Sequence, residues 1–385
     1  MELTTGRRAA VFLVFAALAG VTPLLPAGLR KVADIDARKI IEAKGVSHTP
    51  DLPVLALRFS PDGRKLAVII DRYGERGKET SQVLVLDTPP IASVARLFEV
   101  KAGVDENDDD GPSADFGWSP SGEILNVGGS LIHLLSGAQC ELPYASVLVS
   151  DTLAIGTYRV NGVSIDLNSP TSHFTLFDTA CHPTATWDVN EKWSIGDVSP
   201  DRGLLSIVKN TGLPNKTVQL IVDPLKRTVA HQWSGAERSG ARFANGGNAI
   251  CAGSDPELAE RAPVTCWATD SGEKINEAPT ANGGDPIAPS LHAHRIVVSD
   301  YRRRKLPLSS EFTSIFKGRV IWDFISGKEL VSWRPPSQSW DFHLFLDASR
   351  PPKRVTEPFR FAISSDGEYI AEGGNGMIHL YKIEP

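Results

Sequence analysis

The chain has little of what most enzymes and nucleic-acid binders announce themselves with. It contains no Gly-x-Ser-x-Gly elbow, no His-Glu-x-x-His, no phosphate-cradling loop and no Cys-x-x-Cys. Those absences remove the common sequence signatures of serine hydrolases, zinc peptidases, P-loop proteins and thiol oxidoreductases. Basic residues are not in excess: the net charge is −6, which argues against nucleic acid as a partner. After residues 1–28 no amphipathic helix stands out, and no second apolar run there is long enough for a membrane span. Only 4 cysteines occur in 385 residues, and none lies in the first 28, which excludes lipoprotein attachment there.

What is present begins with a leader. Arg7 and Arg8 precede an uncharged apolar stretch from Ala9 to Leu29, with small residues at Ala17-Leu18-Ala19 and Pro26-Ala27. This pattern predicts an export signal over residues 1–28, or alternatively an uncleaved anchor. The expected setting is extracytoplasmic, periplasmic or secreted, with the mature domain over 29–385. An even cysteine count in an exported protein permits disulfides. Cys251 and Cys266 lie on successive strand-like segments and form a possible bridge. Cys140 and Cys181 sit at similar points of successive repeats, at a separation the sequence does not give. Four buried thiols are the alternative.

The strongest feature is a recurring turn. Arg58-Phe59-Ser60-Pro61-Asp62-Gly63, Gly117-Trp118-Ser119-Pro120-Ser121-Gly122, Asp197-Val198-Ser199-Pro200-Asp201-Arg202-Gly203 and Ala362-Ile363-Ser364-Ser365-Asp366-Gly367 each end one apolar strand and open another. Pro presets φ, Asp or Ser bonds locally, and Gly tolerates the exit. Weaker copies surround Ser150, Asn245 and Ser290. The seven centres recur at about 50 residues, the spacing of a four-stranded blade. Apolar alternation bounded by Gly, Pro and Asp reads as all-β.

These words, together with Val320-Ile321-Trp322-Asp323-Phe324-Ile325-Ser326-Gly327-Lys328, resemble the WD-repeat and bacterial YVTN-type β-propellers. The resemblance covers nearly all of the mature chain. It implies a seven-bladed β-propeller closed by pairing of the N- and C-terminal segments, and non-catalytic protein interaction as the commonest role. Lys39-Ile40-Ile41-Glu42-Ala43 is the expected outer strand of the last blade. Closure of this kind covers the edges that would otherwise pair with other chains.

Strand direction alternates within a blade, so the connections sort by face. The repeated turns belong to one face; the long segments 71–81, 101–115, 252–263, 299–317 and 334–358 belong to the other. A rigid scaffold with long loops on one face is a common binding surface. Three patches there carry chemical character. Glu106, Asp108 and Asp110 with Gly111 resemble the start of a calcium loop, although Gly117 stands where the closing Glu belongs; a solvated acidic loop explains the run equally. Arg302, Arg303, Arg304 and Lys305, with Arg350 in the next long loop, suit carboxylates, phosphates or an anionic surface; a solvated basic loop pairing with the acidic run explains them equally. Trp340 and His343 belong to an aromatic-rich stretch that suits either a partner site or packing between blades. His292 and His294 are too few for a metal site.

The expectation is an exported, monomeric, non-catalytic interaction module acting on a protein partner through its long-loop face, with no cofactor beyond a possible calcium. The alternative is a ligand-binding or enzymatic propeller, lactonase-like or quinoprotein-like, with its site at the axial channel mouth. That alternative requires charged or His side chains converging from several blades.

Overall fold

The computed structural model describes residues 28–45, 54–72, 80–88, 93–100, 116–142, 146–158, 160–161, 164–165, 171–199, 201–210, 217–234, 241–253, 263–278, 286–305, 312–333, 360–374 and 376–384. Seven four-stranded antiparallel sheets account for nearly all of them. Blade 1 runs from Val54–Phe59 through Lys65–Arg72 and Thr80–Asp87 to Ser93–Val100. The inner strands of blades 2 to 7 are Phe116–Trp118, Ser146–Leu148, Trp193–Ser199, Arg242–Ala244, Pro286–Pro289 and Arg360–Ile363. Each inner strand touches the next, and that of blade 7 touches that of blade 1, so the ring closes. The protein is a seven-bladed β-propeller.

The core lies between blades. Along Lys65–Arg72, Leu66, Val68 and Ile70 pack toward blade 7, while Ala67 and Ile69 pack toward blade 2. A strand buried on both faces must be apolar at every position, which is why these runs are continuous. Seven apolar clusters result, one at each blade junction.

All seven predicted turn centres join first to second strands. In blade 1 the Ser60 hydroxyl donates to Asp62 (2.6 Å) and accepts from the Lys65 N–H (2.9 Å). The same pair of contacts recurs around Ser364 and Asp366, where Ser364 accepts from Tyr369 N–H at 2.9 Å.

The ring does close through the two ends of the chain, but not with the expected segment. Leu29–Asp36 is the outer strand of blade 7, pairing from Leu29 with Ile383 to Asp36 with Met377. Lys39–Ala43 lies in a helix, Ala37–Ala43. Asp36 caps it, accepting from Arg38 N–H at 3.1 Å and Lys39 N–H at 3.5 Å. Ala37 and Ile41, one turn apart, bury against blades 7 and 1. The cap and the helix formers Ala, Arg, Lys and Glu outweigh the β preference of Ile40-Ile41.

Both cysteine pairs are disulfides. Cys251 and Cys266 face one another on adjacent strands of blade 5, Cα atoms 4.0 Å apart. Cys140, on the outer strand of blade 2, bridges to Cys181 with Cα atoms 6.0 Å apart. Cys181 occupies the turn after Ser172–Asp178 in blade 3, so the two are not at equivalent repeat points.

Candidate functional site

The inner strands lead to the axis, and there the side chains stop being uniformly apolar. Two residues before the turn serine stand Arg58 in blade 1 and Asp197 in blade 4, where blade 7 has Ala362 and blade 6 Ala288. Together with Arg242 they line a cavity of about 100 Å³ in the channel, at the end formed by the first-to-second-strand turns. Its walls are Trp118, Phe243, Pro289 and Phe361, and its rim includes Ser60, Pro61, Leu291 and Ser365.

The charged groups are fixed by backbone contacts from neighbouring blades. Asp197 is buried; one carboxylate oxygen accepts the Phe243 N–H of blade 5 at 2.8 Å, and the other faces the Arg58 guanidinium at 4.0 Å. That ion pair crosses the channel from blade 1 to blade 4. Arg242 is 4% exposed and donates to the Gly196 carbonyl at 3.0 Å. The Trp118 indole N–H donates to the Arg58 carbonyl at 3.0 Å. Ser365 is 5% exposed, and its hydroxyl meets no hydrogen-bond partner among the described residues.

A second buried ionic group lies between blades 6 and 7. The Arg319 guanidinium stacks 3.5 Å from the ring centre of Phe361, behind the cavity wall. Glu372, 1% exposed, accepts from the Tyr381 hydroxyl at 3.3 Å. Burial pushes the Glu372 carboxyl above its usual range, against the pull of Arg319. Burial and the neighbouring Glu372 raise the Tyr381 hydroxyl in turn.

The residues singled out from sequence are elsewhere. Arg302, Arg303 and Arg304 are not in a loop: they lie on the strand Arg295–Lys305, paired with Ile315, Ser314 and Thr313 of Phe312–Asp323. A run of charges suggests a loop, but the antiparallel ladder continues through it. Glu106, Asp108, Asp110, Trp340, His343 and Arg350 lie outside the described residues. His292 is in the turn of blade 6, 3.5 Å from Asp201, and His294 packs edge-on against Phe324. Among the described residues no three His, Cys, Asp or Glu side chains are grouped to hold a metal. No described helix is long and apolar enough to cross a membrane.

Arg58, Asp197 and Arg242 belong to no residue type that repeats around the ring, so the sequence repeat does not single them out. The usable signal is a charge on an inner strand, two or three residues ahead of the turn centre, at Ser60, Ser199 and Asn245.

No family model matches the chain, and no curated protein matches it. Solved structures do. A chain of the "Crystal Structure of Mitotic Checkpoint Complex" aligns over 94% of this chain and 96% of its own length, with a TM-score of 0.51 and 13% identity. "Oligogalacturonate lyase in complex with manganese" aligns over 86% of this chain and 89% of its own, with a TM-score of 0.52 and 12% identity. The likeness is one of fold.

Proposed function

We propose that this WD-repeat-like propeller is exported and serves as a non-catalytic protein-interaction module, acting through the face opposite its repeated turns. The observation that carries this reading is an asymmetry of connections. Every first-to-second-strand turn is a tight hydrogen-bonded reversal. On the opposite side the strands Ser93–Val100 and Lys328–Trp333 end, and the next blades' strands Phe116–Trp118 and Arg360–Ile363 begin. There also Asp300–Lys305 and Phe312–Gly318 run on as a two-stranded arm that, among the described residues, pairs with no other strand. A rigid ring bearing long segments on one face is a construction suited to binding.

The arm carries Arg302, Arg303, Arg304 and Lys305, so the partner it suits is an acidic protein surface. The basic leader and two disulfides support export. One fold neighbour comes from a checkpoint complex and the other is a lyase, so the fold alone favours neither reading. Against the enzymatic alternative stands the size of the axial cavity: about 100 Å³ is below the roughly 300–1,000 Å³ of sites for drug-sized ligands.

The test is capture from the extracytoplasmic fraction with the full chain as bait, beside the triple variant R302E/R303E/R304E. The expected result is a protein retained by the wild type and lost from a variant with an unchanged circular dichroism spectrum. Identical capture by both proteins would rule the arm out.

A further inference from the structure

We propose that the face of the ring bearing the turns rests on a lipid bilayer of little net charge, held there by the chain's own N-terminal segment retained as an anchor. This surface is opposite the long-connection face. It shares with the reading above only the premise of export.

The first argument is where solvent-facing apolar side chains are found. Leu135, Leu225 and Ile325 are 78%, 58% and 49% exposed. Each stands in the turn between third and fourth strands, in blades 2, 4 and 6. The positions are equivalent. Leu135 and Ile325 each follow by two residues the carbonyl, of His133 or Asp323, that accepts the turn glycine N–H at 2.8 or 2.9 Å. Leu225 and Ile325 each donate their N–H at 3.1 Å to the aspartate two residues back, Asp223 or Asp323. Blade 5 has Asp270 at this place and blade 3 has Ala180. Val229 and Leu330, the other exposed large apolar residues among those described, lie just after the same turns of blades 4 and 6. Single exposed apolar residues need no explanation when scattered, but these are confined to one end of three blades.

The second argument is where the chain joins the ring. Leu29 pairs with Ile383, whose N–H donates to the Glu368 carbonyl in the turn of blade 7 at 2.7 Å. The Gly28 carbonyl accepts from the Glu384 N–H at 2.8 Å. Gly28 therefore lies at the turn end of blade 7, where other blades place their third-to-fourth-strand turns. The uncharged apolar run Ala9–Ala27 reaches Gly28 without a spacer and has the length of a membrane span. Arg7 and Arg8 ahead of it favour an orientation that leaves the ring on the outer side. A chain extends at most about 3.6 Å per residue, so even three residues between lipid and ring hold this face within about 10 Å of the bilayer. The apolar turn residues of blades 2, 4 and 6 then complete a rim of contacts around the tether at blade 7.

Charge selects the lipid. The described turns carry more Asp and Glu than Lys and Arg, with Asp62, Asp223, Asp323 and Asp366 among them. An anionic surface is repelled by such a face, whereas a zwitterionic one is not.

The experiment places the full chain in phosphatidylcholine vesicles, with an environment-sensitive nitrobenzoxadiazole fluorophore on one introduced cysteine. Leu135→Cys, Leu225→Cys and Ile325→Cys put the probe on the turn face. Glu99→Cys puts it near the opposite end of the outer strand of blade 1, where Glu99 is exposed. The three turn probes are expected to shift to shorter wavelength and to be quenched by brominated lipid, and the Glu99 probe to do neither. Adding phosphatidylglycerol should reduce the shift. L135S/I325S combined with Leu225→Cys should lower the docked fraction about tenfold for each serine. All three side chains face solvent, so these variants are expected to keep the wild-type circular dichroism spectrum. The intact mass of the chain extracted from cell membranes should include residues 1–28. Turn probes that remain water-like, a Glu99 probe that behaves as they do, or a mature chain lacking those residues overturns the proposal. The vesicle measurement depends neither on export nor on the basic arm, so it separates this surface from the partner-binding one.

Discussion

Arg30 and Glu384 meet at 2.7 Å although 354 residues separate them. Their salt bridge marks the seam of the ring, but both side chains are about half exposed, and such pairs contribute little. The seam is held instead by the strand that carries Arg30. Leu29 and Ile35 are buried there, and Leu29–Asp36 covers the edge of Met377–Ile383. Arg30→Ala should change urea unfolding by less than about 1 kcal/mol. Deleting residues 1–36 should remove about 3–6 kcal/mol from those two side chains alone and expose a strand edge. Denaturant melts would show the difference, and gel filtration would show self-association of the truncated chain.

The two disulfides should differ in both worth and reactivity. Cys140–Cys181 closes 41 residues and ties blade 2 to blade 3; Cys251–Cys266 closes 15 within blade 5. Loop-closure entropy assigns about 4 kcal/mol to the first and about 3 kcal/mol to the second. Cys251 and Cys266 are fully buried, whereas Cys140 and Cys181 are only partly so. Under native conditions a reductant should therefore open Cys140–Cys181 first. Timed alkylation followed by peptide mass mapping checks the order, and simultaneous loss of both bridges would contradict it.

The blade count was legible because its signal is local. A serine, an acceptor two residues on and a glycine form the turn through contacts within five residues, as Ser60, Asp62 and Gly63 do. The closing strand was less so, because Ile40-Ile41 looks extended unless the Asp36 cap is weighed against it. The arm was hidden by its own charge: Arg302–Lys305 reads as loop, yet the ladder runs through it. The axial site was hardest. Arg58, Asp197 and Arg242 come from blades far apart in sequence, and only ring closure brings them to one cavity.

The turn glycines are not equivalent, and alanine substitution should separate them. Gly63 has φ +69° with open space around it, so Gly63→Ala adds only backbone strain of about 1–2 kcal/mol. Gly247 has φ +79°, and a Cβ there would overlap the Ser199 hydroxyl and lie 2.8 Å from the Ser199 Cβ. Gly247→Ala should therefore be the more damaging by several kcal/mol, and Ser199→Ala should restore only part of the loss. Melting temperatures of the three variants and the double mutant test this. Equal losses at Gly63 and Gly247 would refute the packing argument.

Glu372 gives the pH dependence a definite sign. Its carboxyl titrates above its unfolded value because burial between blades 6 and 7 disfavours the charged form. Its neighbours there are Arg319, His379, Tyr381 and Lys31, with Asp34 bonded to His379 on the outer strand. A raised folded pKa means that the folded state holds the proton more tightly. The contribution is then complete below the unfolded value, 4.5, and is lost as pH rises through the folded one. Glu372→Gln keeps the shape and cannot ionise. The stability of the wild type minus that of Glu372→Gln should therefore fall with rising pH above about 4.5, by at most about 1.4 kcal/mol per pH unit. The slope falls because burial outweighs the opposing pull of Arg319 on the carboxylate. Urea unfolding of both proteins at several pH values measures it. A flat difference would mean that the carboxyl is solvated, and a rising one that Arg319 outweighs burial.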